Sequence, residues 1–551
     1  MKSFLKVFSN EWIIVFLSSS ILILISLIPY FHQVKMTPPD KVFLGVHNNL
    51  LDYPMYIADI KQAKAGRVTF YVQYTSEDQK PTFVHFPYLF LGTIGRIGNM
   101  DDIALYHVGR VLFGLLLSCS YYYFICQVFK DKKMRLGAFF LTLFSGGLIK
   151  YGLNSEGVRE AGTYLSWWTG GDTIRRATFQ PHGMFKTVLF IFSLSFIGKY
   201  IRGDGKKYYF LAVCLVPLLG LLDPVGVAGV MFLIWGYLGY KTIRWIIKKE
   251  SVSNIFVKLL PFLAYSVAFL PFLIYMNWVF RETPWVSIKE VEKGWYNQVV
   301  FAEYAGQFGI TLFAGLLGIP FFIKKVKGVF GWMCLGLIIP VMVLILTRVG
   351  YILGFYNLRF FGFPLQLFMA ILSVSLFYQI GLWIAKVMKK GLGKARNYML
   401  VIVLVVIAFS VPTYFVSLRI QKEEFKTEYF NLYPSKSFWK TGMWMEENIP
   451  YDKAVLSNTL AGGIIPAVSG NRVYIGHIVS TLNYVEKEGL MNTFFAGEMN
   501  EDTAYQFIKN GNIEYVLCLW GEKAIIASKN YSFLKMVYND SYEATIYRVI
   551  K

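Results

Sequence analysis

Residues 45–66 read GVHNNLLDYPMYIADIKQAKAG and follow the first apolar run of the chain. At their centre stands Asp52-Tyr53-Pro54. An aspartate just ahead of a proline marks a helix start, with the carboxylate at the N-cap. Beyond it Met55, Tyr56, Ile60 and Ala63 fall on one helical face, and Asp59, Lys61 and Gln62 on the other. The spacing predicts a short amphipathic helix over 52–65, lying flat on the outer leaflet of a membrane. Asp52 then has two readings. It caps this helix, or its carboxylate serves as a general base toward an acceptor hydroxyl.

The chain around this stretch has 551 residues, 55% hydrophobic and only 16% charged, which excludes a soluble globular protein of this size. Apolar runs of bilayer length give the class instead: a polytopic α-helical membrane protein. The net charge of +21 lies mostly in short loops between apolar runs, where orientation in the membrane accounts for it and nucleic-acid binding does not. Five cysteines, four of them inside apolar runs, show neither a disulfide framework nor metal spacing. Lys2 and Lys6 precede a first apolar run too long for a signal-peptide core, so that run is expected to stay as a span.

Run lengths predict about eleven spans, at 13–31, 103–129, 136–150, 183–201, 208–222, 224–240, 255–278, 307–323, 328–346, 361–385 and 397–416. With the N-terminus inside, the inner loops are Lys130-Asp131-Lys132-Lys133 and the segments 199–207, 241–249, 324–327 and 386–396. All are short and basic, as the positive-inside bias requires, and the C-terminus falls outside. Residues 83–97, FVHFPYLFLGTIGRI, are apolar but short, and counting them as a span would reverse every later loop. They are expected to be interfacial or re-entrant. The long loops, 33–102, 151–182, 281–306 and 348–359, then lie outside, rich in Trp, Tyr, His and Arg.

Residues 1–418 form the membrane domain, and from 419 to 551 the composition becomes that of a soluble α/β domain. Strands are expected near 454–457, 472–475, 514–519, 533–538 and 544–549, with helices near 460–468, 482–495 and 501–510. No glycine-rich phosphate loop or nucleophile elbow occurs there.

An N-inside span followed by a long outer loop with an acidic residue at a membrane-parallel helix resembles the GT-C glycosyltransferases. That group includes protein O-mannosyltransferases, aminoarabinose transferases and oligosaccharyltransferase catalytic subunits, and the likeness is to its prokaryotic members. It continues through Tyr74-Thr75-Ser76-Glu77, Pro87-Tyr88-Leu89-Phe90 and His107-Val108-Gly109-Arg110, and through the C-terminal run from Ser469 to His477, SGNRVYIGH. The resemblance implies a multi-pass protein of the plasma membrane with an extracytoplasmic C-terminal domain. It implies transfer of a sugar from a polyprenyl-phosphate donor to an outward-facing acceptor, with membrane lipids as surroundings and no nucleic-acid partner. Asp52 matches the first-loop acid that orients or deprotonates the acceptor. Many relatives carry an Asp-Glu or Asp-x-Asp pair where this chain has only Asp52 and Asp59, so a divalent metal is left open and no other cofactor is implied.

Cations for the donor phosphate follow from the guanidinium fork. Arg348 and Arg359 flank the outer loop 348–359, and Arg175 and Arg176 stand ahead of the fourth span. The alternative for each is an interfacial anchor. Arg110, one turn inside the second span, must face a cavity or a partner such as Asp101 or Asp102, and that acidic pair could equally cap the span. Tyr53, Asp59, Glu77, His107, Asp172, His182 and Tyr356 complete the candidate acceptor or cavity residues; Glu156, Arg159 and Glu160 either bind the acceptor or solvate its loop. The histidines show no metal spacing. Two other classes compete with the transferase: a transporter or lipid flippase, and a non-catalytic envelope-assembly protein. Transporters place charges near the bilayer midplane in matching halves, whereas in this chain the charges gather at the outer ends of the spans.

Overall fold

In hydrocarbon every backbone N–H and C=O must be satisfied within the protein, and the apolar runs meet this by folding as helices. The computed structural model describes residues 10–153, 157–165, 174–540 and 542–550; Glu156 and Asp172 lie outside the described residues. Among the described residues eight helices are long and apolar enough to cross a bilayer: Glu11–Met36, Asp102–Val128, Pro181–Arg202, Pro224–Ile247, Val252–Val279, Val329–Leu346, Leu365–Val387 and Leu392–Glu423. A ninth span is available if Phe301–Phe308 and Ile310–Lys325, bent by 90° at Gly309, act as one.

Three expected spans differ in detail. Residues 136–150 contain the 13-residue helix Lys132–Phe144, about 20 Å long and short of the hydrocarbon thickness. The chain then enters an antiparallel hairpin of β1 (Ile149–Leu153) and β2 (Arg159–Thr163), pairing Ile149 with Thr163. The 208–222 run is the apolar pair Lys207–Leu222, and the 307–323 run carries the bend at Gly309. Residues 83–97 fold as the 13-residue helix Phe86–Gly98, again too short to span.

The chain divides into two compact units. One comprises Met1–Ile28, Arg110–Met276 and Trp295–Gln421. Its centre is the pair Ile310–Lys325 and Leu365–Val387, brought close by small residues: a β-carbon on Gly318 would stand 2.2 Å from the Leu372 carbonyl oxygen. Several polar side chains between the helices bond to one another. Gln366 Nε2 donates to Ser145 Oγ at 2.5 Å and Thr311 Oγ1 at 3.2 Å, and the Arg135 guanidinium grips both Glu11 oxygens at 2.7 and 2.9 Å.

The other unit comprises Pro29–Gly109, Asn277–Gly294 and Lys422–Lys551, so the first long loop and the C-terminal segment fold together. Its sheet has the order β4-β3-β5-β7-β6, from β3 (Ala454–Leu456), β4 (Arg472–Val473), β5 (Tyr515–Leu519), β6 (Leu534–Asn539) and β7 (Ala544–Val549). β4, β3 and β5 run parallel, while β7 is antiparallel to both its neighbours, β5 and β6. Tyr484–Phe495 and Glu501–Asn510 fold as the sequence predicts, but the 460–468 helix is two short pieces. Lys436–Asn448 and Gly521–Lys529 are additional helices. Phe494, Phe507, Val516 and Ile475 form the core between sheet and helices, each contributing about 1.5–3 kcal/mol on burial. The chain is thus a polytopic helical membrane protein with a C-terminal α/β sheet domain.

Candidate active site around Asp52

The helix begins where the sequence predicts, over Tyr53–Lys64, with Pro54 in its first turn. Asp52 occupies the N-cap position but has helical dihedrals, φ −80° and ψ −24°, and its side chain makes no capping hydrogen bond. The capping alternative therefore fails at the level of the side chain. Its carboxylate points elsewhere. Oδ2 accepts from Asn49 Nδ2 and from the Tyr56 hydroxyl at 3.4 Å, and Oδ1 lies 3.1 Å from His477 Nε2. The His477 side chain is 5% exposed, whereas Asp52 remains 32% exposed.

His477 follows β4, and its ring is held from the far side. Nδ1 accepts the backbone N–H of Ser480 at 3.1 Å and of Val479 at 3.3 Å. A nitrogen that accepts carries no proton, so the neutral ring has its proton on Nε2, directed at Asp52. The preceding Gly476 is required by close approach: a β-carbon there would meet the Gly462 carbonyl oxygen at 2.3 Å and the Tyr74 ring at 3.0 Å. Residues 73–77 run beside β4. Val473 N donates to Gln73 O at 2.8 Å, Thr481 Oγ1 to Tyr74 O at 2.7 Å, and Arg472 to Thr75 O at 3.0 Å. Lys487 Nζ closes the clasp on Glu77 at 2.6 Å, and burial holds its ammonium below the ordinary lysine range while Glu77 draws it back up.

The Tyr53–Lys64 helix is not the amphipathic surface helix that its periodicity predicts. Asp59 and Gln62, assigned to its polar face, are buried. Gln62 is satisfied by Tyr71, donating to its carbonyl at 2.9 Å and accepting from its N–H at 3.0 Å. Asp59 Oδ2 meets His85 Nδ1 at 3.1 Å. Burial raises the Asp59 carboxyl above the usual aspartate value, and the His85 contact only partly offsets this. Burial, with the charges of Asp59 and Asp52, also pushes the Tyr74 phenol well up, keeping it neutral.

A cleft of about 240 Å³ opens on the other side of the helix start, with Tyr53, Ile57, Lys61, Lys64, Asp101, Asp102, Trp439 and Glu446 among its lining. Asp101 caps the following helix by accepting from Ala104 N at 3.0 Å. Asp102 pairs with Lys64 at 2.6 Å and Lys61 at 3.5 Å, and Lys61 also reaches Glu446 at 2.6 Å. His107 Nε2 stands 2.9 Å from the Gly45 carbonyl oxygen, and Tyr53 packs edge-on against Tyr106. Asp101, Asp102 and Tyr53 thus share the cleft, while Glu77 is engaged by Lys487.

The candidate arginines all belong to the other unit. Arg110 Nε donates to Thr178 O at 3.1 Å, Arg175 is buried, and Arg176 bonds the Thr142 and Ser145 carbonyls at 3.1 and 3.0 Å. His182 lies in the first turn of Pro181–Arg202. Arg348 lies 5.6 Å over the Tyr296 ring, and both it and Arg359 are exposed. Between them the buried Asn357 bonds Asn297 O and Ile345 O at 2.7 and 2.9 Å, and Tyr356 donates to Asn297 Oδ1 at 2.6 Å. Among the described residues no three His, Cys, Asp or Glu side chains gather as a metal site. Sequence reasoning missed Asn49, Tyr56 and His477 as partners of Asp52; only the run SGNRVYIGH, which ends at His477, carried a signal for any of them.

No family model and no curated protein sequence matches the chain. Solved structures do. The oligosaccharyltransferase AglB from Archaeoglobus fulgidus, solved with an inhibitory peptide and a dolichol-phosphate, aligns over 91% of this chain and 69% of its own, at 14% identity and TM-score 0.55. ArnT from Cupriavidus metallidurans, bound to undecaprenyl phosphate, aligns over 98% of both chains at 9% identity and TM-score 0.51. The arabinofuranosyltransferase AftD from Mycobacteria aligns over 98% of this chain and 40% of its own, at 12% identity and TM-score 0.50. At such identities the likeness is one of architecture, and that architecture spans nearly the whole chain: its fold is that of the GT-C glycosyltransferases.

Proposed function

We propose that the chain is a membrane glycosyltransferase that moves a sugar from a polyprenyl-phosphate donor to an extracytoplasmic glycan, lipid or protein. The donor class comes from its fold neighbours, solved with dolichol-phosphate or undecaprenyl phosphate. In this reading Asp52 is the general base. The acceptor oxygen attacks the anomeric carbon, the bond to the phosphate oxygen breaks with its electron pair, and the acceptor proton passes to Asp52 with inversion at carbon. Arg348, Arg359, Arg175 and Arg176 are given the donor phosphate on charge and hydrogen-bonding fork alone. The protein sits in the plasma membrane with its C-terminal domain outside.

The observation that carries the reading is the Asp52 side chain. It stands at a helix start without capping it, and is one-third exposed while held by directed hydrogen bonds. A carboxylate that makes no capping bond to its own helix and is oriented by side chains is arranged for work on a ligand. The test is incubation of the purified chain with undecaprenyl- and dolichol-phosphate carrying radiolabelled hexoses and pentoses. Consumption of one donor with release of polyprenyl phosphate is expected, and a chain that consumes none contradicts the proposal.

A further inference from the structure

Asp52 and His477 are separated by most of the sequence, yet their side chains meet at 3.1 Å in one compact unit. We propose that His477 is a positioning residue for Asp52: its Nε2–H fixes the carboxylate through Oδ1, and so sets where Oδ2 points. This rests on the reading of Asp52 as the base and assigns the C-terminal segment a direct part in the reaction.

Three observations support it. The tautomer is set, because Nδ1 accepts from the Ser480 and Val479 backbone, leaving Nε2 as the donor. The ring has little freedom. It is buried to 5%, lies 5.6 Å from the Tyr74 ring, and follows a glycine packed against the Gly462 backbone. The two carboxylate oxygens are also used differently. Oδ1 takes the rigid imidazole, whereas Oδ2 takes Asn49 and the longer 3.4 Å contact from Tyr56. A rotatable hydroxyl at that distance yields more readily to an incoming acceptor group than a locked ring does. His477 itself cannot be the base while Nδ1 is engaged by backbone donors and Nε2 carries the proton. Its contribution is orientation.

A merely structural role, tying the first loop to the C-terminal segment, is separable because that tie has a second member away from Asp52. Lys487 joins the same segments through Glu77 and Thr75, with Nζ 2.6 Å from Glu77 and 3.3 Å from Thr75. The experiment compares His477→Gln, which keeps a donor at the ε position, with His477→Met, which fills similar volume without one. Lys487→Met serves as the tether control and Asp52→Asn as the base control. Each purified chain is assayed with the radiolabelled undecaprenyl- or dolichol-phosphate sugar that the wild type consumes, and its unfolding temperature is recorded. Misplacing a catalytic group by about 1 Å costs on the order of 10²-fold in rate. His477→Met should lower kcat by that factor with KM within about threefold, and His477→Gln should recover most of the loss. Lys487→Met should lose stability while keeping kcat within about threefold. In the Asp52→Asn background His477→Met should add little, since the two act as a unit.

The failures are distinguishable. If Asp52→Asn is inactive while His477→Met turns over like the wild type, the positioning role is overturned and the base stands. Equal kcat losses in His477→Met and Lys487→Met reduce His477 to a tether and also overturn it. An Asp52→Asn chain with wild-type turnover overturns the base, and this inference with it. A readout independent of turnover is the nitrogen-15 spectrum of the six histidines, with His477 identified by its loss in His477→Gln. It should show a neutral ring protonated at Nε2; protonation at Nδ1 alone contradicts the assignment.

Discussion

At the scale of the single residue, the decisive fact is that Asp52 stands where a cap would stand and does not cap. A serine caps helices about as well as an aspartate. If Asp52 were a cap, Asp52→Ser would be nearly silent; with Asp52 as the general base the same change slows transfer by about 10²–10⁴-fold in kcat. Asp52→Asn should fold well. Tyr56 can turn its hydroxyl to accept from the new NH₂ while the bond from Asn49 Nδ2 is given up, so the cost in stability is about 1 kcal/mol, read from thermal unfolding in detergent. A second residue-scale expectation concerns Asp59, whose folded-state carboxyl is raised by burial, with His85 and the Tyr74 phenol as its titratable neighbours. A raised acid binds protons in the folded state that the unfolded chain has already released. Its stabilisation is therefore complete below the ordinary aspartate range and is lost as pH climbs through the raised value. Asp59→Asn should remove that decline, so mutant and wild-type unfolding temperatures diverge on going from about pH 4 to neutrality in favour of the mutant. Identical pH profiles would contradict it.

At the scale of elements, the first-loop helix shows what a sequence can and cannot disclose. Its start and length were legible from Asp52, Pro54 and the apolar spacing that follows. Its environment was not. Periodicity separates polar from apolar faces, but a polar face can be buried wherever partners from other segments satisfy it, as Tyr71 satisfies Gln62 and His85 meets Asp59. Those partners lie in irregular backbone, which has no period to read. The same reasoning explains why His477 escaped notice as a partner of Asp52: a contact across 425 residues leaves no mark on local spacing. The clasp beside it is open to measurement. Lys487 is 7% exposed and Glu77 31%, so removing the lysine leaves a carboxylate still partly hydrated. Lys487→Met should cost about 1–3 kcal/mol, below the range for a fully buried pair. A change under about 0.5 kcal/mol would show the clasp to be idle.

At the scale of the whole molecule, apolar run length found each of the eight described helices long enough to span, because a helix satisfies its own backbone groups in hydrocarbon. Where it reads a span over 136–150, a 13-residue helix gives way to a hairpin at Ile149–Thr163, since hydropathy alone cannot see a strand begin. The compact units were also illegible. The first loop folds with the C-terminal segment through side-chain and edge contacts that only the folded chain displays. The proposed orientation has its own check. Tyr542, 91% exposed in the C-terminal domain, becomes a reporter as Tyr542→Cys in a Cys214→Ser background. A membrane-impermeant maleimide should label it in intact cells, and protection until lysis would place the domain inside. Everything proposed for the site depends on Asp52 taking the acceptor proton. The decisive measurement is single-turnover transfer from a pre-bound radiolabelled polyprenyl-phosphate sugar, comparing wild type with Asp52→Asn at equal occupancy of the donor. The expected result is unchanged donor binding with transfer slowed by at least about 10²-fold, and transfer at the wild-type rate would contradict that role.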